Sequence, residues 1–419
     1  MAKIALVCPP LPGHLNPMLS LGRALQRRGH AVTFFHIPAI EGSIRSQGIE
    51  FAPIGTVQSD TLAEMIRQMA MMDGLGSLRF AVRCSCQIAE LLCEQLPAAL
   101  EKAQIDLMLA DQNEPAAATV AEHLGLPFIN VCPSLPVNRE PGIPPPFVDW
   151  PYLASKWGHA RNRIGYALSD LLISPINRTI NRYRRGWGMP PISRPDDTFS
   201  RLAQLCQLVR ELDFPRREAP ESFHYLGPFY DASSPAVAFP FEQLNGKPLI
   251  YATLGTLQAR NSRHFSTIAE ACTGLDAQLV IATGGQSGDL PRNLPGGPVL
   301  VRYAPQLEIL ARASLTITHA GLNTVMQSLL FGVPMIALPI THDQPAIAAR
   351  VAASGAGEVI PMKKLRAAAL RESVQRVSRA ANYRTRAREL SESIRRAGGV
   401  ERAATIVEDV LAGSAAKPA

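Results

Sequence analysis

The apolar residues of this chain fall into short runs separated by amphipathic stretches, and the alternation repeats from end to end. Lys3 to Cys8 is a run of the kind a fully buried strand carries, and Pro9 to His14 is a rigid turn. Asn16 can cap a helix with Pro17 at its first position; Met18, Leu21 and Leu25 share one face of it, and Gly29 ends it. Ala31 to His36 is the next strand, which completes a β-α-β opening. Residues 58–104 read as two helices, with Leu62, Met65, Ile66, Met69 and Met72 on a face that serves either as core or as an adaptable surface for apolar ligands. Ile105 to Ala110 is a strand ending at Asp111, a helix runs from Pro115 to Leu124, and Phe128 to Cys132 is again a strand. Pro133 to Pro146 is too rich in proline for regular structure, and residues 150–187, which hold Trp150, Trp157, Trp187 and many Arg, show no period.

Residues 226–244 are dense in Pro, Ser and Gly and read as a linker. The alternation then restarts. Pro248 to Thr253 is a strand, Leu254 to Leu257 a turn, residues 262–275 a helix, and Gln278 to Thr283 a strand. Leu315 to Thr318 and Met335 to Ile340 are apolar runs on either side of a helix closed by Gly332 and Pro334. Residues 363–396 are helical and rich in Arg, and after Gly398-Gly399 a last amphipathic helix covers 400–412. Strand–helix alternation in both halves predicts an α/β protein of two doubly wound, Rossmann-like domains, 1–225 and 245–396, facing a cleft.

Composition narrows the class further. The 419 residues suffice for two domains. No apolar run approaches the roughly 18–20 residues of a membrane span, and the run after Lys3 is too short for a signal-peptide core, so a cytoplasmic location is expected. Seven scattered Cys fit reduced thiols, and Cys84-Ser85-Cys86 has no second pair to complete a metal site. The net charge of +7 serves solubility or draws the protein to an anionic membrane surface. No basic-aromatic module points to nucleic acid. Asp-x-Asp is absent from the sequence, and with it one common way of holding a divalent ion beside a sugar nucleotide.

The richest chemistry lies between Tyr303 and Gln344. Leu315 to Thr318 ends at His319, Ala320-Gly321-Leu322 turns into a helix, and Asn323 and Thr324 lie at its start. The first N–H groups of a helix lack intrahelical partners and sit at the positive end of its dipole, so they bind anions. His319, Asn323 and Thr324 add side-chain donors there, while Asp343 and Gln344 follow the next strand and reach the same sheet edge. Such a stretch is also compatible with an ordinary β-α-β unit. In the first half, His14 and Asp111 each lie just beyond a strand. A carboxylate beside an imidazole fixes its tautomer and stabilises the imidazolium, which suits a general base; a lone His in a turn can equally be a plain polar loop residue.

This stretch resembles the signature of the UDP-dependent glycosyltransferases. The matching positions are an aromatic at Tyr303, then Pro305-Gln306, His319, Gly321, Asn323-Thr324, Gly332, Pro334, Pro339 and Asp343-Gln344. The resemblance implies the GT-B fold, with the terminal helix crossing back to the first domain. It implies that Tyr303 stacks on uracil, that His319, Asn323 and Thr324 hold the diphosphate with Thr256, and that Asp343 and Gln344 hold sugar hydroxyls. His14 paired with Asp111 would be the catalytic base. One position departs from the family: Gln327 stands where an acid usually grips the ribose hydroxyls. The implied chemistry is in-line displacement with inversion, with no cofactor and no metal, UDP-glucose being a co-substrate.

A closer resemblance reaches the bacterial branch that glucosylates carotenoid diols. Glu114-Pro115-Ala116, Leu124 to Ile129, Leu135 to Gly142, Leu212 to Arg217, Phe223-His224-Tyr225 and Leu254 to Gln258 carry it. It implies a UDP-sugar and an apolar acceptor, zeaxanthin in that branch, and contact with a membrane surface where such an acceptor resides. Another apolar natural product such as a polyketide, flavonoid or sterol remains open as acceptor. A UDP-sugar isomerase or a non-catalytic UDP-sugar binder remains open as function.

Overall fold

A computed structural model describes residues 1–55, 64–65, 68, 74–231, 237–255, 262–284 and 293–415. The first half runs β1 (Lys3–Val7), α1 (Pro12–Arg27), β2 (Ala31–His36), α2 (Glu41–Arg45), β3 (Glu50–Pro53), α3 (Gly74–Ala103), β4 (Leu107–Asp111), α4 (Pro115–Leu124), β5 (Phe128–Cys132), α5 (Lys156–Gly186), β6 (Gln204–Cys206) and β7 (Phe223–Tyr225). Its seven strands form a parallel sheet in the order β3-β2-β1-β4-β5-β6-β7. The inner strands are apolar without interruption because helices cover both faces, and Ile4 to Val7 and Leu107 to Ala110 are fully buried. β1 pairs directly with β4, Val7 opposite Ala110. Strand order therefore reverses between these two, and the loops after them open a crevice at the sheet's carboxyl edge.

The second half contains β8 (Leu249–Thr253), α6 (Ser262–Cys272), β9 (Gln278–Ala282), β10 (Val299–Val301), α7 (Gln306–Leu310), β11 (Ala313–Thr318), α8 (Leu322–Leu330), β12 (Met335–Ala337), α9 (Gln344–Ser354), β13 (Gly357–Val359), α10 (Ala367–Arg379), α11 (Ala381–Ala397) and α12 (Gly399–Ala415). Its parallel sheet has the order β10-β9-β8-β11-β12-β13, with the reversal between β8 and β11. The two reversals set up the two walls of one cleft.

The last helix belongs spatially to the first half. Gly398 turns the chain at φ +87, and Val400, Ala403, Ala404, Ile406 and Val407 of α12 share a core with Leu21 and Leu25 of α1. Arg28 adds ion pairs to Glu408 at 2.7 Å and Glu401 at 2.9 Å. Leu226 and Phe229, at the start of the linker, are buried in the same core.

The halves also share an apolar cluster that joins Leu135, Leu208 and Leu212 to Leu322, Val325 and Met326. Beside it lies a fully buried ion triad. Asp213 accepts from Arg216 at 2.7 Å and from Arg350 of α9 at 2.8 Å, and the Tyr225 hydroxyl donates to it at 2.9 Å. Burial alone would push the Asp213 carboxyl up, but the two guanidinium groups outweigh it and hold the pKa at about 2.

Several sequence expectations need correction. Helix α1 starts at Pro12, so Pro17 lies inside it and His14 falls in its first turn, whereas the sequence pattern placed a cap at Asn16. The patternless segment 150–187 contains the 31-residue α5. Of the two helices expected in 58–104, the described residues hold the long α3 and, ahead of it, helical Glu64, Met65 and Gln68; Leu62, Ile66, Met69 and Met72 lie outside the described residues. The three-residue strands β6, β7, β10 and β13 are too short for a two-residue period to reveal. All seven Cys are unpaired thiols, and burial pushes those of Cys93, Cys206 and Cys272 up to about 12.

Candidate active site

The reversal between β1 and β4 brings His14 and Asp111 together from 97 residues apart. His14 Nδ1 lies 2.8 Å from Asp111 Oδ2, with the imidazole 17% exposed and the carboxylate fully buried. The second Asp111 oxygen accepts the Asn113 N–H at 2.8 Å, which fixes the carboxylate's orientation. Burial pulls the His14 pKa down, but the charge and hydrogen bond of Asp111, with Asp343 and Glu114 further off, raise it above 6.5 overall. With Nδ1 engaged by Asp111, Nε2 is the nitrogen left for chemistry.

Across the cleft stands α8. It has no side-chain cap and no acid in its first turn, so its N–H groups remain available to an anion. Asn323 Nδ2 donates to the Gly13 carbonyl at 3.0 Å, one residue from the base. Its Oδ1 accepts from the buried Gln207 at 3.1 Å, and Gln207 is held in turn by Pro133 and Phe229. Thr324 is buried behind it. His319 packs its ring between two glycines: a Cβ on Gly321 would lie 2.5 Å from Nε2, and one on Gly255 would lie 2.7 Å from the ring. Glycine is required at both positions for space, and at Gly255, at φ +76, for the backbone as well. Burial lowers the His319 pKa to about 4, so the imidazole is neutral near pH 7, and its Nδ1 has no partner among the described residues. In that state it can donate to a phosphate as a neutral N–H.

Asp343 stands at the start of α9 without a side-chain capping bond, and its carboxylate crosses the cleft to accept the Leu135 N–H at 3.2 Å. Its enclosure raises its pKa, partly offset by that bond and by His14. The Gln344 carbonyl oxygen is already used, accepting from Ile340 N at 2.9 Å and Thr341 N at 3.0 Å, which leaves its NH₂ for a ligand. Ala320 and His342, in the loops after β11 and β12, hold φ of +66 and +56, strain of the kind that collects at binding loops.

Tyr303 is exposed on the loop before α7. Gln306 accepts from the Tyr251 hydroxyl at 3.2 Å and donates to Gln327 Oε1 at 2.5 Å, so Gln327 keeps its NH₂ and one lone pair of its oxygen. Thr256 lies outside the described residues. The structure thus gathers His14, Asp111, Asn323 and Asp343 at one point and arranges Tyr303, Gln306 and Gln327 along the second half's wall. Among the described residues no cluster of three His, Cys, Asp or Glu side chains is placed to hold a metal ion.

The sequence reading missed two participants. Gln207 precedes no recognisable element, and only the fold shows that it orients Asn323. Glu114 sits immediately before Pro115 at the start of α4, and its carboxyl makes no capping bond. It lines a cavity instead, where burial and then the charge of Asp111 push its pKa up to about 8, against the pull of His14. That cavity, partly open to solvent, runs from Gln112 to Glu114 between α3, α4 and α5, with Val137, Phe147, Tyr166, Ile173 and Ile176 among its walls.

The sequence pattern described as UDP-glucoronosyl and UDP-glucosyl transferase matches residues 48–410. The chain is 34% identical over 425 residues to a zeaxanthin glucosyltransferase of Pseudescherichia vulneris, covering 99% of each chain. It is 33% identical over 419 residues to one of Pantoea ananas, covering 98% of this chain and 96% of that one. A solved structure of the glycotransferase of kitacinnamycin superposes with a TM-score of 0.76 at 24% identity over 98% of each chain, a similarity of fold.

Proposed function

The chain belongs to the UDP-glucuronosyl and UDP-glucosyl transferase family and is a glycosyltransferase of the GT-B fold; from that premise we propose that it transfers glucose from UDP-glucose to the ring hydroxyls of a carotenoid, zeaxanthin, with inversion at the anomeric carbon. The acceptor reading is supported by the two zeaxanthin glucosyltransferases, each matching nearly the whole chain, and by the apolar cavity beside the candidate base. The observation that carries the mechanism is the His14–Asp111 pair lying one residue from the carbonyl that Asn323 reaches across the cleft.

In this reading the acceptor hydroxyl stands at the mouth of the cavity. His14 Nε2 removes its proton as the oxygen forms a bond to the sugar's C1, and the bond from C1 to the β-phosphate oxygen breaks on the opposite side. Asp111 stabilises the imidazolium. UDP departs with its negative charge facing the uncapped start of α8, Asn323 and the neutral His319, a preorganised electrostatic sink of the oxyanion-hole kind. Thr324 and Thr256 complete the phosphate donors. Asp343 and the Gln344 NH₂ bind glucose hydroxyls, and Tyr303 stacks on uracil. Displacement from opposite faces turns the α-linked donor into a β-glucoside. The helix mouth and side-chain donors take the charge that a divalent ion would otherwise balance, so the scheme calls for neither metal nor cofactor.

The test is an assay with UDP-glucose and zeaxanthin, reading the anomeric configuration of the mono- and diglucoside. No product from zeaxanthin, with glycosylation of a soluble polyketide or flavonoid, would overturn the acceptor assignment. Consumption of UDP-glucose with no acceptor present would favour an isomerase.

A further inference from the structure

Helix α5 is inverted with respect to an ordinary surface helix. Its fully enclosed residues are Gly158, Asn162, Gly165, Ile180 and Arg184. The glycines let it press against the proline-rich segment before it, since a Cβ on Gly165 would lie 2.8 Å from Pro145 and 2.9 Å from Trp150. Between Trp157 and Leu172 its large aliphatic residues and the tryptophan face outward instead: Trp157 is 85% exposed, Leu171 72%, Ile164 62% and Leu168 58%. With Leu172 they recur at three-, four- and seven-residue intervals and so form one stripe, roughly 22 Å long at 1.5 Å per residue. Monomeric proteins seldom leave such a contiguous apolar surface uncovered.

Charge indicates what covers it. The helix carries six Arg and one Lys against a single acid, Asp170, which is held by Arg139. Lys156 and Arg163 are exposed at one end of the stripe and Arg178 and Arg185 at the other. Arg79 and Arg83 of α3 border a shallow groove that reaches Leu172. A second copy of the chain would set these cations against one another across a two-fold interface. An apolar stripe edged by Lys and Arg is the composition of a helix that lies in the plane of an anionic bilayer surface. No described helix is long and apolar enough to cross a membrane, which agrees with lying on one. The inner face of the same helix supplies Tyr166, Ile173 and Ile176 to the cavity beside the candidate base.

We propose that the outer face of α5, from Trp157 to Leu172, docks on an anionic lipid surface, with the basic residues of α3 and α5 at the headgroups. The docked orientation places the cavity's wall against the lipid. The proposal stands on this surface and not on the identity of the acceptor.

Flotation with vesicles of phosphatidylcholine alone, and with added phosphatidylglycerol, tests it. The protein should float with the anionic vesicles, release in high salt, and show a blue shift of Trp emission that Trp157→Phe removes. The double variant Ile164→Gln/Leu171→Gln should partition roughly tenfold or more weakly while binding UDP as before, which controls for folding. Failure to float, equal flotation on both vesicles, or unchanged partitioning of the double variant would each overturn the proposal. So would a dimer in sedimentation that the double variant abolishes without any vesicle binding.

Discussion

The Asn323 amide can donate to the Gly13 carbonyl, at 3.0 Å across the cleft, because Pro17 does not. In an uninterrupted helix the N–H of residue 17 would bond to the carbonyl of residue 13; a proline inside α1 has none to give. The vacancy falls one residue before His14, so a helix defect in one half becomes the point at which the other half's phosphate-binding helix touches the base. Asn323→Ala should lower kcat/KM for the nucleotide sugar by roughly 10–100-fold, the usual worth of a hydrogen bond to a charged group. Asn323→Asp, which puts a negative charge at the helix mouth, should lower it further. Steady-state kinetics with both variants checks the order.

His14→Ala should reduce kcat by about 10²–10⁴-fold and leave UDP binding, measured by calorimetry, nearly unchanged. The base must be neutral to work, and its pKa is raised above 6.5. Activity should therefore climb with pH through an apparent pKa above 6.5 and level off on the alkaline side. Asp111→Asn removes the charge that raises it and leaves the downward push of burial. Its residual activity should show the same limb shifted to lower pH.

Gln327 has one uncharged acceptor oxygen, already accepting from Gln306 at 2.5 Å, and its NH₂ can only donate. Gln327→Glu supplies a second acceptor, which in the proposed pose meets the ribose hydroxyls. UDP should bind up to about tenfold more tightly, while a thymidine nucleotide, lacking the 2′-hydroxyl, should gain less. Calorimetric titration of the two diphosphates separates these outcomes.

Asp213 is shared by Arg216 and Arg350 in the seam between the halves. Asp213→Ala leaves two buried cations without their partner and should cost about 3–5 kcal/mol in urea unfolding at pH 7. The carboxyl's folded pKa of about 2 lies below its unfolded value near 3.9. Its contribution is thus fully present above about pH 4 and lost as pH falls toward 2, a loss the variant should not show.

What was legible in the sequence is what depends on near neighbours. Continuous apolar runs such as Ile4 to Val7 and Leu107 to Ala110 read as strands because a sheet covered on both faces admits no polar alternation. Gly321 and the run through His319 to Asn323 read as a helix mouth because strand, turn and helix are contiguous there. Helix α5 did not read at all, for between Trp157 and Leu172 its large aliphatic residues point away from the core and the enclosed positions are Gly158, Asn162 and Gly165. A pattern search that equates apolar with buried must miss a helix facing outward. Tertiary structure alone decided the rest. Strand order put His14 against Asp111, the missing N–H of Pro17 freed the Gly13 carbonyl for Asn323, and Asp343 met Leu135 from the far wall. Each of these joins residues about a hundred or more positions apart, and contacts of that span are set by how sheets cross and halves pack, which no local period records.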